Sequence, residues 1–276
     1  MVTIADGRMT DRELARARVV DALAGGGFVS PDAEADALVA AEAEGVGPLD
    51  ELVRRRLGGE PLAWITGSVR FCGASIRVRP GVFVPRPHTE ILAIRASALL
   101  PDEGVCVDLC TGSGAVAVAV TAAHPGAKVV GTDIDAVAVA CARENGVDAR
   151  LGDLDEPLPH SLRGHVDVMT AVVPYVPTEA MHLLPRDVLA YEPRHALDGG
   201  EGGTAMLERA ADAAARLVRP GGSVLLELGG TQANLVSARL RALGFEAIGV
   251  YGDDDGFDRV LEARKVSTSS VEGRKL

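Results

Sequence analysis

The sequence predicts an α/β protein: a doubly wound, mainly parallel sheet with a small helical domain before it. From about residue 88, apolar strand-like runs alternate with helical runs of about 10 to 15 residues. The run VDLCTGSGAVAVAV ends a strand at Asp108 and opens a helix through Gly112-Ser113-Gly114. Ahead of residue 60 the chain shows only short helical patterns closed by glycines.

Thr10 and Glu13 have the spacing of a capping box, so the first helix starts there and stops at Gly25-Gly26-Gly27. Ser30-Pro31 supplies an N-cap and an N1 proline for a second helix, which runs to about Glu44. The run LDELVRRRL is a third, ending at Gly58-Gly59, with Arg54, Arg55 and Arg56 expected on a solvated end. FCGASIRVRPGVFVPRP alternates like a strand pair with a turn. Beyond it follow the helix TEILAIRASALL, the strand VCVDL, the helix GAVAVAVTAAH, the strand KVVGTDI and the helix AVAVACAREN. VDVMTAVV, GGSVLLEL and a closing pair around EAIGVYG and DRVLEARK complete the strands. The boundaries expected are a helical domain over 1–70, a β-hairpin linker over 71–87, the sheet domain over 88–265 and a flexible tail over 266–276.

The 276 residues are 47% hydrophobic, enough for a large core plus a small one. A net charge of −11 argues against a nucleic-acid surface, which needs clustered cations. No apolar run reaches the roughly 20 residues of a membrane span, and the charged N-terminus lacks a signal-peptide core, so a cytoplasmic protein is expected. Cys72, Cys106, Cys110 and Cys141 lack ligand spacing, so no metal site is expected. Whether the chain forms a homodimer is left open.

The glycine turn is the first candidate site. Gly112 and Gly114 remove Cβ bulk and admit positive φ, and the helix that follows points backbone N–H groups at a ligand. Asp133 ends the next strand, about 20 residues on, where a carboxylate can accept both ribose hydroxyls. Asp153, after the third strand, is placed to take an adenine amino group. Val116 and Ala117 stand beyond Gly114 where a dinucleotide fingerprint has its third glycine. The pattern therefore favours a single nucleoside such as S-adenosyl-L-methionine over NAD.

Longer motifs sharpen this. GEPLAWITG, GVFVPRPHTEIL, VDLCTGSGAVAVA, YEPRHALDGGEGG, RPGGSVLLELG with Gln232, and DRVLEAR occur in order over residues 59–264. In these runs the chain resembles the protein-(glutamine-N5) methyltransferases that modify peptide-chain release factors. The resemblance implies a class I methyltransferase, Rossmann-like, with a seven-stranded sheet and an N-terminal domain that recognises substrate. It also implies S-adenosylmethionine bound by Asp108, Gly112, Gly114, Asp133 and Asp153, and a loop containing Arg86 and Glu90 that closes over the site.

One motif departs. The family carries Asn-Pro-Pro-Tyr after the fourth strand, and this chain reads Val172-Val173-Pro174-Tyr175. A glutamine amide nitrogen is a poor nucleophile, and in the family the Asn carbonyl and the next backbone carbonyl orient it. Val172 accepts no hydrogen bond, and an amide donor left buried and unpaired costs about 1–3 kcal/mol. An apolar wall of Val172, Val173 and Pro174, with Arg86 beside it, suits a small aromatic acceptor such as an indole or phenol. Tyr175, Glu179 and His182 are the candidates to handle its proton. The finest form of this expectation is an actinomycete indole C3-methyltransferase of alkaloid biosynthesis. The alternative is glutamine methylation of a release factor.

Overall fold

A computed structural model gives the structure, which describes residues 10–267. Apart from Val266 and Ser267, the tail expected over 266–276 lies outside the described residues. The chain forms two compact units, one ending at Ser68 and the other beginning at Val69.

Four helices make the first unit: α1 (Asp11–Gly25), α2 (Pro31–Ala43), α3 (Leu49–Leu57) and α4 (Leu62–Thr66). The Thr10–Glu13 capping box opens α1 with both reciprocal bonds in place. Helix α2 has its proline in the first turn, but the Ser30 side chain makes no capping bond. Val19, Leu23, Ala35, Leu38, Leu52 and Ile65 form the core of this unit. Arg56 corrects the expectation of a solvated basic end: it is buried, pairs with Glu34 and covers the Phe28 ring.

The second unit opens with a hairpin of β1 (Ser68–Phe71) and β2 (Ala74–Arg77), turned by Cys72 and Gly73 with φ of 46° and 78°. The strand pair thus begins before the expected segment and stops at Arg77. Phe71 and Ile76 pack into one core with Leu92, Ala93 and Ala96 of α5 (Glu90–Leu99).

The main sheet comprises β3 (Val105–Leu109), β4 (Lys128–Asp133), β5 (Asp148–Leu151), β6 (Val166–Ala171), β7 (Val218–Glu227), β8 (Phe245–Gly252) and β9 (Asp258–Lys265). Its order is β5-β4-β3-β6-β7-β9-β8. Strands β3 to β7 pair in parallel, and β9 runs antiparallel to both β7 and β8. The connecting helices are α6 (Ala115–Ala123), α7 (Ala136–Glu144), α8 (Arg186–Tyr191), α9 (Ala205–Leu217) and α10 (Ala233–Ala242).

Alternation along the central strands sends side chains to two cores. Cys106, Val168 and Leu225 pack with α5 and α6, whereas Val107, Leu109, Met169, Ala171, Val224 and Leu226 pack with α9 and α10. The chain winds outward from β3 to β5 and then returns to place β6 on the other side of β3. That reversal is a topological switch point, and such sheets bind ligands at the carboxyl ends of the strands flanking it. Among the described residues no helix is long and apolar enough to cross a membrane.

Candidate active site

The residues after β3 and β6 meet at the switch point. Asp108 is 1% exposed, and its two carboxylate oxygens accept the hydroxyls of Thr111 (2.6 Å) and Thr170 (2.7 Å). Burial pushes its carboxyl up to about 6, against the pull of those donors. Asp108, expected among the cofactor contacts, also ties the glycine turn to β6 through these two hydroxyls. In that turn Gly112 has φ 56°, and a Cβ there would meet no protein atom within 4 Å, so the space above it is open. Gly114, with φ 83°, caps α6, and a Cβ on it would lie 2.8 Å from a methyl of Val147. Glycine is required there by both conformation and packing.

Asp133 closes β4 and faces the same turn. One carboxylate oxygen accepts the Gly112 N–H at 2.8 Å and the other the Asp135 N–H at 2.9 Å. Burial raises its carboxyl above the ordinary range, and the two backbone donors oppose the rise. Each oxygen keeps acceptor capacity for a second donor. Ile134, next in sequence, is 64% exposed and offers an apolar surface beside it. Asp153 is held by Arg209 of α9 at 2.6 Å, a pairing that any adenine contact would have to share. A carboxylate at the strand end, an open glycine turn and a helix N-terminus fit a nucleoside with adjacent hydroxyls joined to a charged amino-acid tail.

The other half lies at the ends of β6 and β7. Val172 is half-buried and packs with the α5 core, but Val173 points the opposite way and is 2% exposed in the α9 core. Val173 is therefore a core residue and not part of a shared wall with Val172, because consecutive extended residues face opposite sides. Gln232 fixes the backbone behind this segment. Its amide donates to the carbonyls of Tyr175 (2.7 Å) and Gly203 (3.1 Å) and accepts the Gly229 N–H (3.0 Å). Gly199 lies so close to Pro174 that a Cβ would come within 2.7 Å of its carbonyl oxygen. In the DGGEGG run Gly199 and Gly203 are pressed against Pro174-Tyr175, while Gly200 and Gly202 meet open space or only Ala205 and serve the positive φ of the turn.

Tyr175 does not stand as a free base. Its hydroxyl donates to Glu227 at 3.1 Å, and burial together with that carboxylate pushes the phenol well above its ordinary value. Glu179 and His182 sit exposed on a 3-10 turn, Thr178–Leu183, and share no hydrogen bond or ion pair with Tyr175. The acidic and basic groups linked to Tyr175 and Arg86 are instead three residues absent from the sequence expectations. Glu227 is fully buried at the end of β7, His88 Nε2 lies 3.5 Å from it, and Glu192 is buried and accepts Arg86 at 2.6 Å. Arg86 also stacks on Phe83, 4.7 Å from the ring centroid. The signal in the sequence was an acidic residue, Glu227, set in the otherwise apolar run VLLEL. Among the described residues, no group of three or more His, Cys, Asp or Glu is arranged to hold a metal ion.

Sheet order, glycine turn and strand-end carboxylate together define a class I S-adenosylmethionine-dependent methyltransferase. Residues 74–154 match the family model described as "Methyltransferase small domain". A methyltransferase of Pyrococcus furiosus has the same fold, with a TM-score of 0.53 at 20% identity over 70% of this chain and 90% of that one. The release factor glutamine methyltransferase of Geobacter sulfurreducens is 36% identical over 219 residues, 77% of this chain and 76% of that protein. The chain belongs to the release factor glutamine methyltransferase family. It is also 37% identical, over 80% of its length and 84% of the relative's, to the 4-amino-L-phenylalanine/4-methylamino-L-phenylalanine methyltransferase of Streptomyces pristinaespiralis.

Proposed function

We propose that this enzyme methylates a small aromatic acceptor and not the side chain of glutamine. The observation that carries the reading is Val172. It stands at the end of β6, where the family places the asparagine that holds the amide, and its side chain faces the α5 core. Without that acceptor one amide N–H of a bound glutamine stays unpaired, at about 1–3 kcal/mol, and loses its orientation as well. An aromatic ring needs an apolar contact and a partner for one N–H or O–H, and an apolar side chain at this position suits it better than it suits an amide. The Streptomyces relative, whose name gives an aromatic amino acid as substrate, supports a change of acceptor on this scaffold. An indole attacking through C3 is the finest form of the reading, although no relative named above acts on an indole.

The cofactor supplies an electrophilic methyl group on a sulfonium sulfur. When it is bound, Asp133 would hold the ribose, the Gly112–Gly114 turn would admit the chain that carries the sulfur, and Val172 would lie on the acceptor side.

A second reading is favoured by the relatives' names, most of which give release factor glutamine as the acceptor. Mass spectrometry of the unaltered enzyme with a release-factor peptide and with a panel of indoles, phenols and arylamines separates the two. Methylated ring compound with unmodified peptide is expected. Methylated glutamine with no aromatic product would restore the family's ordinary substrate.

A further inference from the structure

We propose that His88 receives the acceptor's proton and that Glu227 holds its imidazole ready to do so. The inference rests on the reading that the acceptor is an aromatic compound carrying a ring N–H or a phenolic O–H.

His88 lies in the 3-10 turn Pro87–Thr89 immediately before α5, a turn whose entry Pro85 and Pro87 restrict. Glu227 is the last residue of β7. By strand alternation it falls on the face of Leu225, the α5 face that Val172 also packs against. The three residues thus converge at one edge of the sheet from three separate elements.

The two nitrogens of His88 have different surroundings. Nε2 is buried without a hydrogen bond, 3.5 Å from Glu227 Oε1. That separation is too long for a hydrogen bond in the ligand-free chain, and such contacts commonly tighten when substrate binds. Nδ1 has no partner and is not buried, and the side chain as a whole is 24% exposed. An imidazole backed by a carboxylate on one nitrogen and open on the other has the geometry of a general base with its orienting group.

Glu227 has further reason to want that partner. Its side chain is 0% exposed, its Oε2 has no hydrogen bond, and among the described residues its only ion pair is with His88. The nearby guanidinium of Arg86 is already committed to Glu192. A buried carboxylate without a cation is unfavourable, so an imidazolium formed beside it gains what the resting site lacks. Tyr175, donating to Oε1, keeps the carboxylate in place.

In the step, the acceptor's nucleophilic atom bonds to the methyl carbon while the carbon–sulfur bond breaks and its electron pair stays on sulfur. The acceptor's N–H or O–H proton passes to His88 Nδ1. The positive charge lost from sulfur thus comes to rest on the imidazolium facing Glu227.

The test uses the full chain with His88→Asn, Glu227→Gln and Glu227→Asp. Nitrogen-15 NMR, with the His88 signals identified by their loss in His88→Asn, reads the tautomer without any turnover. The Nε2–H form should dominate in the unaltered protein and lose that dominance in Glu227→Gln. With an aromatic acceptor from the panel, His88→Asn should lower kcat by roughly 10²–10⁴-fold, the range for loss of a general base. Acceptor affinity, measured by calorimetry with S-adenosylhomocysteine present, should stay within about threefold, as suits a residue acting on the proton and not on binding. Glu227→Asp should recover part of the kcat lost in Glu227→Gln. A kcat in His88→Asn within about threefold of the unaltered enzyme, or a tautomer unmoved by Glu227→Gln, overturns the proposal. If every aromatic acceptor is refused and glutamine is methylated, the acceptor reading fails, and the tautomer measurement alone decides the His88–Glu227 pair.

Discussion

Single carboxylates carry much of the site's chemistry, and two of them behave differently. Asp133 keeps acceptor capacity while receiving two backbone N–H bonds, so Asp133→Ala should weaken S-adenosylmethionine binding about tenfold or more in calorimetry, with the far-ultraviolet spectrum unchanged. Unchanged affinity would remove it from the site. Asp108 is a matter of stability. Its folded value, pushed up to about 6, lies above the ordinary carboxylate value near 4. The stabilisation it gives is therefore complete below about pH 4 and is lost as pH rises through about 6, on the order of 3 kcal/mol at most. Asp108→Asn leaves an acceptor for one threonine hydroxyl, and the other can turn to accept. The unaltered protein should lose more melting temperature between pH 4 and 6 than this variant, and equal losses would contradict the burial argument. Asp133 and the glycines were legible because their spacing along the chain is itself the motif. His88, Glu192 and Glu227 were not, because only the fold brings their three distant segments together. The valine pair shows the limit most plainly, since a quoted motif does not say which neighbour faces which core.

At the level of elements, the glycine turn and the Gln232 clasp are the parts most exposed to substitution. Gly114→Ala places a methyl 2.8 Å from Val147 at a φ of 83°, so it should cost about 1–3 kcal/mol in denaturant unfolding and lower cofactor affinity with it. A variant of unaltered stability would mean that the turn relaxes freely. Gln232→Ala strips a buried donor from the carbonyls of Tyr175 and Gly203 and an acceptor from Gly229, at about 1–3 kcal/mol. Hydrogen exchange should then rise first around Tyr175 and the Gly199–Gly203 run. Six of the seven strands of the main sheet overlap runs that periodicity picks out, as do α1, α2 and α3, whereas β5 was expected only as a strand ahead of Asp153. Absent from the sequence expectations are α4, α8, α9 and α10. The first two have 5 and 6 residues, too few for a period to register. Helices α9 and α10 do carry an amphipathic repeat, in alanine- and arginine-rich stretches whose N-cap residues, Thr204 and Gln232, make no side-chain capping bond. The hairpin was displaced because the alternation of 78–87 is that of an extended loop and not of a paired strand.

Across the sheet as a whole, on the reading proposed above, the ends of β3, β4 and β5 would serve the cofactor and the ends of β6 and β7 the acceptor. The β3–β6 ladder and the Asp108–Thr170 hydrogen bond join the two halves, but among the described residues no hydrogen bond or ion pair links Asp133 to His88 or Glu227. Losses from Asp133→Ala and His88→Asn, expressed as free energies of kcat/KM, should therefore add to within about 0.5 kcal/mol. A larger coupling would mean that the halves are mechanically joined. The sheet order carries an evolutionary consequence. A lineage built on this frame can inherit the methyl donor intact while two strand tips drift, and a translation-factor modifier and a maker of small molecules are then separated by a short mutational path. Valine in place of asparagine at position 172 would be one step on such a path, taken where the donor pocket does not register it.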